Sequence, residues 1–340
     1  MSTPSCTVVV ATCNRAAGLR RLLAALRRQN LNPSAFEVIV VDDGSTDETW
    51  DVLAAERPPF SLRSFWQHNQ GPAAARNAAI AAAKGDIIIT LDDDVEPAPD
   101  LLRRHLEAHA SEGAIATIGP MVYPDREPLS PWVQWEYAGL QRQYESMRQG
   151  RWEPSYRQFY TANSAVPRWA YEKAGFFDPL FRRAEDVELA MRLADLGIKF
   201  RFLPDAVVYH RPNRSMEAWQ RMAWQYGFYD IVLWRSKGRD FMISLMAYEL
   251  QKKRSPLLRK AARLLVGRRV ALMAFVVATS QTGNLVAKAG ARTLAMSAYS
   301  AVFGLQYLQG AAEAFGDTRS FVAQLEGLSR GSGALRVRAR

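Results

Sequence analysis

Three consecutive carboxylates, Asp92, Asp93 and Asp94, follow the apolar run Ile87-Ile88-Ile89-Thr90-Leu91. That run is short, β-branched and preceded by Gly85-Asp86, which predicts a strand buried on both faces. The acids therefore leave a strand at its carboxyl end, where ligands bind in an open α/β sheet. Adjacent carboxylates repel unless a positive charge sits among them, and a divalent cation is the common solution. In an extended chain Asp92 and Asp94 point to one side, within reach of one ion, or of an ion and a ribose. A solvated acidic turn closed by Pro97 is the plainer reading of three Asp alone. A second acidic pair, Glu185-Asp186, precedes Leu189, Leu193 and Leu196 at helical spacing, with Gly197 next. This predicts a helix whose first-turn acids complement its dipole. Asp43 ends another apolar run, and His210 ends a further strand-like stretch from residue 200.

The elements that must position these residues alternate. Residues 7–11 predict a buried first strand, and Thr12-Cys13-Asn14-Arg15 turns into a helix from about 18 to 29, with Leu19, Leu22, Leu23 and Leu26 on one face. Residues 36–41 predict the second strand, running into Asp42-Asp43-Gly44-Ser45. Ser45 and Glu48 have the spacing of a capping box, so a helix starts there. Phe65-Trp66 lies in a third strand, 73–83 is an alanine-rich helix behind Gly71-Pro72, and Ile87–Leu91 is the next strand. Such alternation predicts right-handed βαβ units and an α/β fold with a parallel, doubly wound sheet. Farther on, Trp132, Trp135, Tyr137, Tyr144, Trp152 and Tyr156 cluster in sequence. Their large areas suit a core, with the remainder available to line a groove.

The stretches Val8-Val9-Val10-Ala11-Thr12-Cys13-Asn14-Arg15, Val40-Val41-Asp42-Asp43-Gly44-Ser45-Thr46-Asp47, Gly71-Pro72-Ala73-Ala74-Ala75-Arg76-Asn77 and Leu91-Asp92-Asp93-Asp94 occur in this order. Together they resemble family 2 glycosyltransferases of the GT-A fold, which transfer a sugar from a nucleotide-sugar with inversion. Thr161-Ala162-Asn163-Ser164-Ala165 and Glu185-Asp186 resemble two further segments of that family. The resemblance implies a Rossmann-like, mostly parallel sheet with a C-terminal helical extension following it. It implies Asp186 as general base with Glu185 beside it, Asp43 on the N3 hydrogen of uracil or thymine, and Thr12, Asn14 and Arg15 along base and ribose. Arg76, Asp92, Asp93 and Asn163 would complete the nucleotide-sugar site, and Asp94 and His210 would hold Mn²⁺ or Mg²⁺. The donor is then a UDP- or dTDP-sugar, and the acceptor a saccharide or lipid-linked saccharide in cell-surface polysaccharide or glycolipid synthesis. Trp219-Gln220-Arg221-Met222-Ala223-Trp224 lacks the spacing of the Gln-x-x-Arg-Trp motif of processive synthases, which argues for adding one sugar or a few. Two other classes share such strand-end acids. One is a nucleotidyltransferase making a nucleotide-sugar, whose glycine-rich signature with Arg and Lys is lacking from residues 12–18; the other is a non-catalytic nucleotide-binding scaffold.

Composition bounds the rest. With 340 residues, 48% hydrophobic and 23% charged, the chain can bury an ample core and is not a disordered protein. Cys6 and Cys13 lie seven residues apart around one predicted strand, roughly 23 Å if extended, too far for a disulfide. That suits a reducing cytosol, as does the expectation that no signal peptide opens the chain. The net charge of +10 is not a nucleic-acid footprint. Residues 251–340 hold 15 Lys and Arg against 3 Asp and Glu, leaving 29 against 31 for the first 250. The expected organisation is a catalytic domain over 1–215, with a nucleotide-sugar half to about 100 and an acceptor half after it, a helical basic extension over 216–330 and a disordered basic tail over 331–340. Runs 270–287 and 293–312 are almost free of charge but interrupted by Gln281, Thr282, Gly283 and Asn284, and by Gln306, Gln309 and Gly310, which makes them poor membrane-spanning candidates. They predict either a packed helical or homodimer surface, or an interfacial layer whose cations at 252–254, 259–263 and Arg268-Arg269 meet anionic lipid at the inner face of the cell membrane.

Overall fold

The structure is a computed structural model describing residues 3–124, 129–212, 214–238, 241–248 and 256–331. These residues form two compact units, the chain passing from one to the other after positions 127, 140 and 212. The boundary expected at 215 thus falls close to 212, while 128–140 groups with the C-terminal helices.

In the first unit strands and helices alternate as the apolar runs require. They are β1 (Cys6–Thr12), α1 (Ala16–Leu26), β2 (Phe36–Asp42), α2 (Thr49–Ala55), β3 (Ser61–Trp66), α3 (Pro72–Ala81), β4 (Ile87–Leu91), β5 (Val95–Pro97), α4 (Leu101–Glu112), β6 (Ile115–Ile118) and β7 (Met121–Val122). After α5 (Pro131–Arg148), which begins in the other unit, come β8 (Asn163–Pro167), α6 (Arg168–Ala174), α7 (Glu185–Asp195), β9 (Lys199–Phe202) and β10 (Val208–His210). Among the described residues seven strands form one sheet, β3-β2-β1-β4-β8-β6-β9, and three form another, β5-β10-β7. β3, β2, β1 and β4 are parallel neighbours. β8 is antiparallel to β4 and β6 because it enters beside the carboxyl end of β4, with Asn163 opposite Leu91. The fold is the expected mostly parallel GT-A-like sheet, with this one strand reversed.

Val8, Val9, Val10, Val38, Ile39 and Val40 have no exposed surface, so β1 and β2 are covered on both faces. Each such side chain contributes roughly 1.5–3 kcal/mol of burial. The predicted stripe Leu19, Leu22, Leu23 and Leu26 of α1 is buried. Two local expectations are corrected. The Ser45–Glu48 capping box does not form, because the Ser45 hydroxyl accepts the Asn14 N–H at 2.8 Å; Asp47 takes the Thr49 N–H at 3.0 Å instead, and α2 starts at Thr49. Leu196 is 43% exposed, because α7 ends at Asp195 and Gly197 turns the chain with φ +82°.

The second unit joins the first half of α5 to α8 (Met216–Lys237), α9 (Phe241–Tyr248), α10 (Pro256–Leu265), α11 (Arg269–Lys288), α12 (Arg292–Phe315) and α13 (Thr318–Gly331). Trp219 is fully buried and meets Trp135 and Tyr299 edge-on, at 5.5 and 6.2 Å between ring centres. α8 and α12 touch backbone to backbone at two glycines: a Cβ on Gly227 would lie 1.8 Å from the Tyr307 carbonyl oxygen, and one on Gly310 1.9 Å from that of Trp224. The two apolar runs meet different fates. Leu305, Leu308, Ala311 and Ala312 of α12 are buried, whereas α11 is long and apolar enough, by length and composition, to cross a membrane. The cations at 252–254, and the tail expected over 331–340 from residue 332 on, lie outside the described residues.

Candidate active site

Asp92, Asp93 and Asp94 are the whole link between β4 of the large sheet and β5 of the small one. The link is a turn, so the acids do not alternate as in a strand, and the extended chain that would set Asp92 and Asp94 on one side is not what forms. Each goes to its own partner. Asp92 Oδ1 accepts from Arg76 Nη2 at 2.9 Å and from Thr161 Oγ1 at 3.5 Å. Asp93, buried, accepts from Thr12 Oγ1 at 2.7 Å. Desolvation pushes the Asp93 carboxyl up to about 7, opposed by the Thr12 hydrogen bond and reinforced by Asp94. Asp94, with 14% of its side chain exposed, meets two cationic or imidazole groups: Oδ2 is 3.5 Å from Arg15 Nη1, and Oδ1 is 3.4 Å from His210 Nε2.

His210 comes from 116 residues downstream, and the small sheet brings it there. β10 runs antiparallel to β5 with His210 opposite Val95, and the Arg211 N–H donates to the Asp94 carbonyl at 3.3 Å. An oxygen and an imidazole nitrogen 3.4 Å apart fit neighbouring positions around a six-coordinate ion with bonds of about 2.1 Å, whose octahedron edge is about 3 Å. The donor set suits Mn²⁺ or Mg²⁺ as two of six ligands. Among the described residues no group of three or more His, Cys, Asp or Glu is arranged to hold a metal, so an ion held by this pair would need substrate and water as its other ligands.

Arg76 ties the acidic turn to the second acidic pair. Buried on α3, it donates through Nη1 to Glu185 Oε1 at 2.8 Å as well as to Asp92. Burial works against its charge, and Asp92, Glu185 and Asp186 outweigh burial and raise its pKa. Glu185 is thereby occupied. Asp186, partly exposed beside it, accepts a hydrogen bond from the adjacent Val187 N–H, at 2.8 Å. Desolvation first and the Glu185 charge second push the Asp186 carboxyl up to about 7. Ala184, immediately before the pair, takes φ +62°. Strain at a non-glycine residue of this kind is held where a side chain must be aimed.

The nucleotide-facing candidates divide. Asp43 Oδ1 accepts from Gln67 Nε2 (2.7 Å) and the Gln70 N–H (2.9 Å), and Oδ2 from the Gly71 N–H (2.7 Å). A carboxylate has about four lone-pair positions, so one on Oδ2 stays open. Thr12 is buried against Asp93 and does not lie along an open surface. Asn14, at φ +55°, accepts the Thr46 and Asp47 N–H groups at 2.7 and 3.2 Å and closes the β1 loop onto the β2 loop. Asn163 is corrected most. It has no exposed surface, its amide nitrogen donates to the Ala206 carbonyl at 2.8 Å, and its oxygen faces His105 Nε2 at 3.1 Å. A buried amide must have its hydrogen bonds satisfied, and the Ala206 carbonyl and His105 of α4 satisfy this one. Thr161, at the start of a segment singled out by the resemblance, reaches Asp92. Sequence reasoning missed Gln67, which orients Asp43, and Arg182, whose guanidinium nitrogen lies 2.7 Å from where a Cβ on Gly71 would be; of these two only Arg182 had a signal, its place just ahead of the acidic pair.

Residues 7–175 match the family model described as Glycosyl transferase family 2. The pre-mycofactocin glycosyltransferase of Mycobacterium tuberculosis is 32% identical over 221 residues, covering 63% of this chain and 44% of that protein. The validoxylamine A glucosyltransferase of Streptomyces hygroscopicus subsp. limoneus is 30% identical over 221 residues, covering 57% and 49%. The chain thus spans about half the length of these curated relatives. Among solved structures, a mannosyltransferase from Pyrobaculum calidifontis in complex with GDP-Man and Mn²⁺ superimposes with TM-score 0.62 at 24% identity, over 92% of this chain and 87% of that one. S. aureus TarS residues 1–349 with UDP gives 0.51 at 17% identity, over 92% of each chain. At such identities these structures speak to the fold alone. With its strand-end acids, its sheet order and the match over 7–175 taken together, the chain belongs to glycosyl transferase family 2.

Proposed function

We propose that this glycosyltransferase is metal-assisted and inverting, moving a hexosyl or deoxyhexosyl group from a UDP- or dTDP-sugar to a hydroxyl of a saccharide or lipid-linked saccharide. The observation that carries the reading is the Arg76 bridge, 2.9 Å to Asp92 and 2.8 Å to Glu185. It couples the acidic turn on the donor side to the start of α7, where Asp186 is left for the acceptor. Asp43 takes the N3 hydrogen of uracil or thymine on its open lone pair; cytosine has no such hydrogen. Arg15 lies beside Asp94 and meets the diphosphate or ribose. Asp94 and His210 hold Mn²⁺ or Mg²⁺, which when bound offsets charge on the departing diphosphate. Asp186 accepts the proton of the acceptor hydroxyl as that oxygen bonds to the anomeric carbon; the glycosidic C–O bond breaks, and the nucleoside diphosphate leaves from the opposite face with the electron pair. A raised carboxyl pKa suits such a base, since proton transfer is most efficient when the pKa lies near the working pH. A lipid-linked acceptor would put the enzyme in the cytoplasm at the inner face of the membrane. A panel of nucleotide-sugars, assayed for free nucleoside diphosphate with Mn²⁺ and with excess EDTA, tests the proposal. Metal-dependent release from a UDP- or dTDP-sugar supports it. Release undiminished by EDTA overturns the metal role, and release only from a GDP- or CDP-sugar overturns the base assignment.

A further inference from the structure

The helical unit carries a surface that sugar transfer does not use. Between residues 256 and 312 there is no Asp or Glu, while Arg259, Lys260, Arg263, Arg268, Arg269, Lys288 and Arg292 supply seven positive charges. α11 runs through the middle of this stretch and carries apolar residues on a buried side and on an exposed one. One side, Leu272, Val276, Ser280 and Gly283, is buried. It is fixed to α12 where a Cβ on Gly283 would meet the Tyr299 ring at 3.1 Å and where the Tyr299 hydroxyl donates to Asn284 at 2.7 Å. The other side holds Val270, Met273, Val277 and Leu285, at the 3-, 4- and 8-residue steps of one helical stripe. Val270 is 85% and Leu285 69% exposed. Leu294, at the start of α12, is 63% exposed. Arg268 and Arg269 precede the stripe, and Lys288 and Arg292 follow it; all four are exposed.

We propose that this outward stripe of α11 docks on the surface of an anionic lipid bilayer, its side chains entering the headgroup–acyl boundary and the cations at both ends meeting lipid phosphates. An apolar stripe bracketed by cations matches an interfacial helix. The helix lies on the membrane and does not cross it, because its inner side is held by α12 and its outer side includes exposed Gln281 and Thr282, which a spanning segment would bury in hydrocarbon. A second copy of the chain fits less well. A two-fold interface sets the same patch against itself, here arginine and lysine against arginine and lysine with no acid to pair them. A bare polyanion would use the cations and leave the stripe exposed.

The test uses the full chain and sedimentation with vesicles of phosphatidylglycerol and phosphatidylcholine, compared with phosphatidylcholine alone. The expected result is binding to the anionic vesicles only, weakened by salt, since surface charge is screened over about 10 Å at 0.1 M. Replacing both Arg268→Gln and Arg269→Gln weakens binding roughly 30-fold, at about fivefold per cation near the headgroups. Met273→Ser with Val277→Ser removes a comparable share while far-ultraviolet dichroism stays unchanged. No sedimentation with anionic vesicles at low salt overturns the proposal, as does binding that neither pair of substitutions alters. A concentration-dependent dimer in light scattering, abolished by Met273→Ser with Val277→Ser, overturns it in favour of a contact between copies. None of these residues belongs to the candidate active site, so nucleoside diphosphate release is a separate readout.

Discussion

At Asp94 and His210 two side chains from distant parts of the sequence stand 3.4 Å apart, and their joint role has a readout besides turnover. Electron paramagnetic titration of Mn²⁺ in the presence of nucleoside diphosphate should show tight binding to the parent protein. Asp94→Ala or His210→Ala should weaken it by more than the roughly 10- to 100-fold typical of losing an outer-sphere partner. Equal Mn²⁺ affinity in all three proteins removes both residues from the metal. Asp186 makes a prediction of opposite sign for stability and rate. Desolvation, with the Glu185 charge beside it, pushes its carboxyl up to about 7, above the ordinary carboxylate range, so the folded state holds its proton more tightly than the unfolded state does. Stability from this group is therefore full at low pH and is lost as pH rises from about 4 towards 7. Asp186→Asn, neutral throughout, should raise the melting temperature above that of the parent at pH 8 while lowering transfer by roughly 10²–10⁴. The acid limb of kcat/KM should lie near pH 7 in the parent. A variant that keeps transfer, or a parent with a flat pH profile between 5 and 8, excludes Asp186 as base.

Elements set these positions through close backbone approach. α8 and α12 touch at Gly227 and Gly310 with no room for a Cβ, so Gly227→Ala must push the helices apart and lose packing on Trp219. It should destabilise the helical unit by about 1–3 kcal/mol, the usual range for an overpacked core. Gly139, inside α5, has nothing within 4 Å of an added Cβ, so Gly139→Ala should instead stabilise by up to about 1 kcal/mol through helix propensity. Thermal unfolding of the two single variants reads both signs, and a neutral Gly227→Ala refutes the close crossing. The same logic applies near the site, where a Cβ on Gly18 of α1 would lie 2.6 Å from the Asp93 carbonyl oxygen. Helix α1 and the acidic turn therefore hold each other in place.

For the molecule as a whole, the two units exchange a piece of chain. Residues 128–140 belong with the C-terminal helices: Trp135 Nε1 donates to Ser300 at 2.7 Å, and Trp132 Nε1 donates to the Arg214 carbonyl at 3.1 Å. A chain ending at Pro212 keeps every strand of both sheets but strips Trp132 and Trp135 of the partners that cover them. It should bind more of a dye specific for exposed apolar surface than the full chain does, and show red-shifted tryptophan emission. Replacing Trp132→Gln and Trp135→Gln in the shortened chain should reverse both changes. Unchanged dye binding on truncation would mean that these tryptophans do not depend on the helices.

Local pattern was enough for much of this. β-branched runs of four to seven residues can only be strands covered on both faces, and the leucine spacing of α1 can only be an amphipathic helix, so the alternating order, the parallel pairing of β1, β2 and β4 and the acids at their carboxyl ends were legible in the sequence. The net charge of the C-terminal segment was legible too. Pairing across long separations was not. No local signal reverses β8, makes Asp92 and Asp94 diverge at a turn, or carries His210 to Asp94 across 116 residues; strand register in the small sheet decides that. Asn163 and Thr12 were expected as ligand contacts from the family resemblance of their segments, and the tertiary structure takes up their hydrogen bonds inside the protein because buried polar groups must find partners there. The two apolar runs 270–287 and 293–312 are nearly alike as sequences, and packing alone separated them, burying one among helices and leaving the other with a bare face.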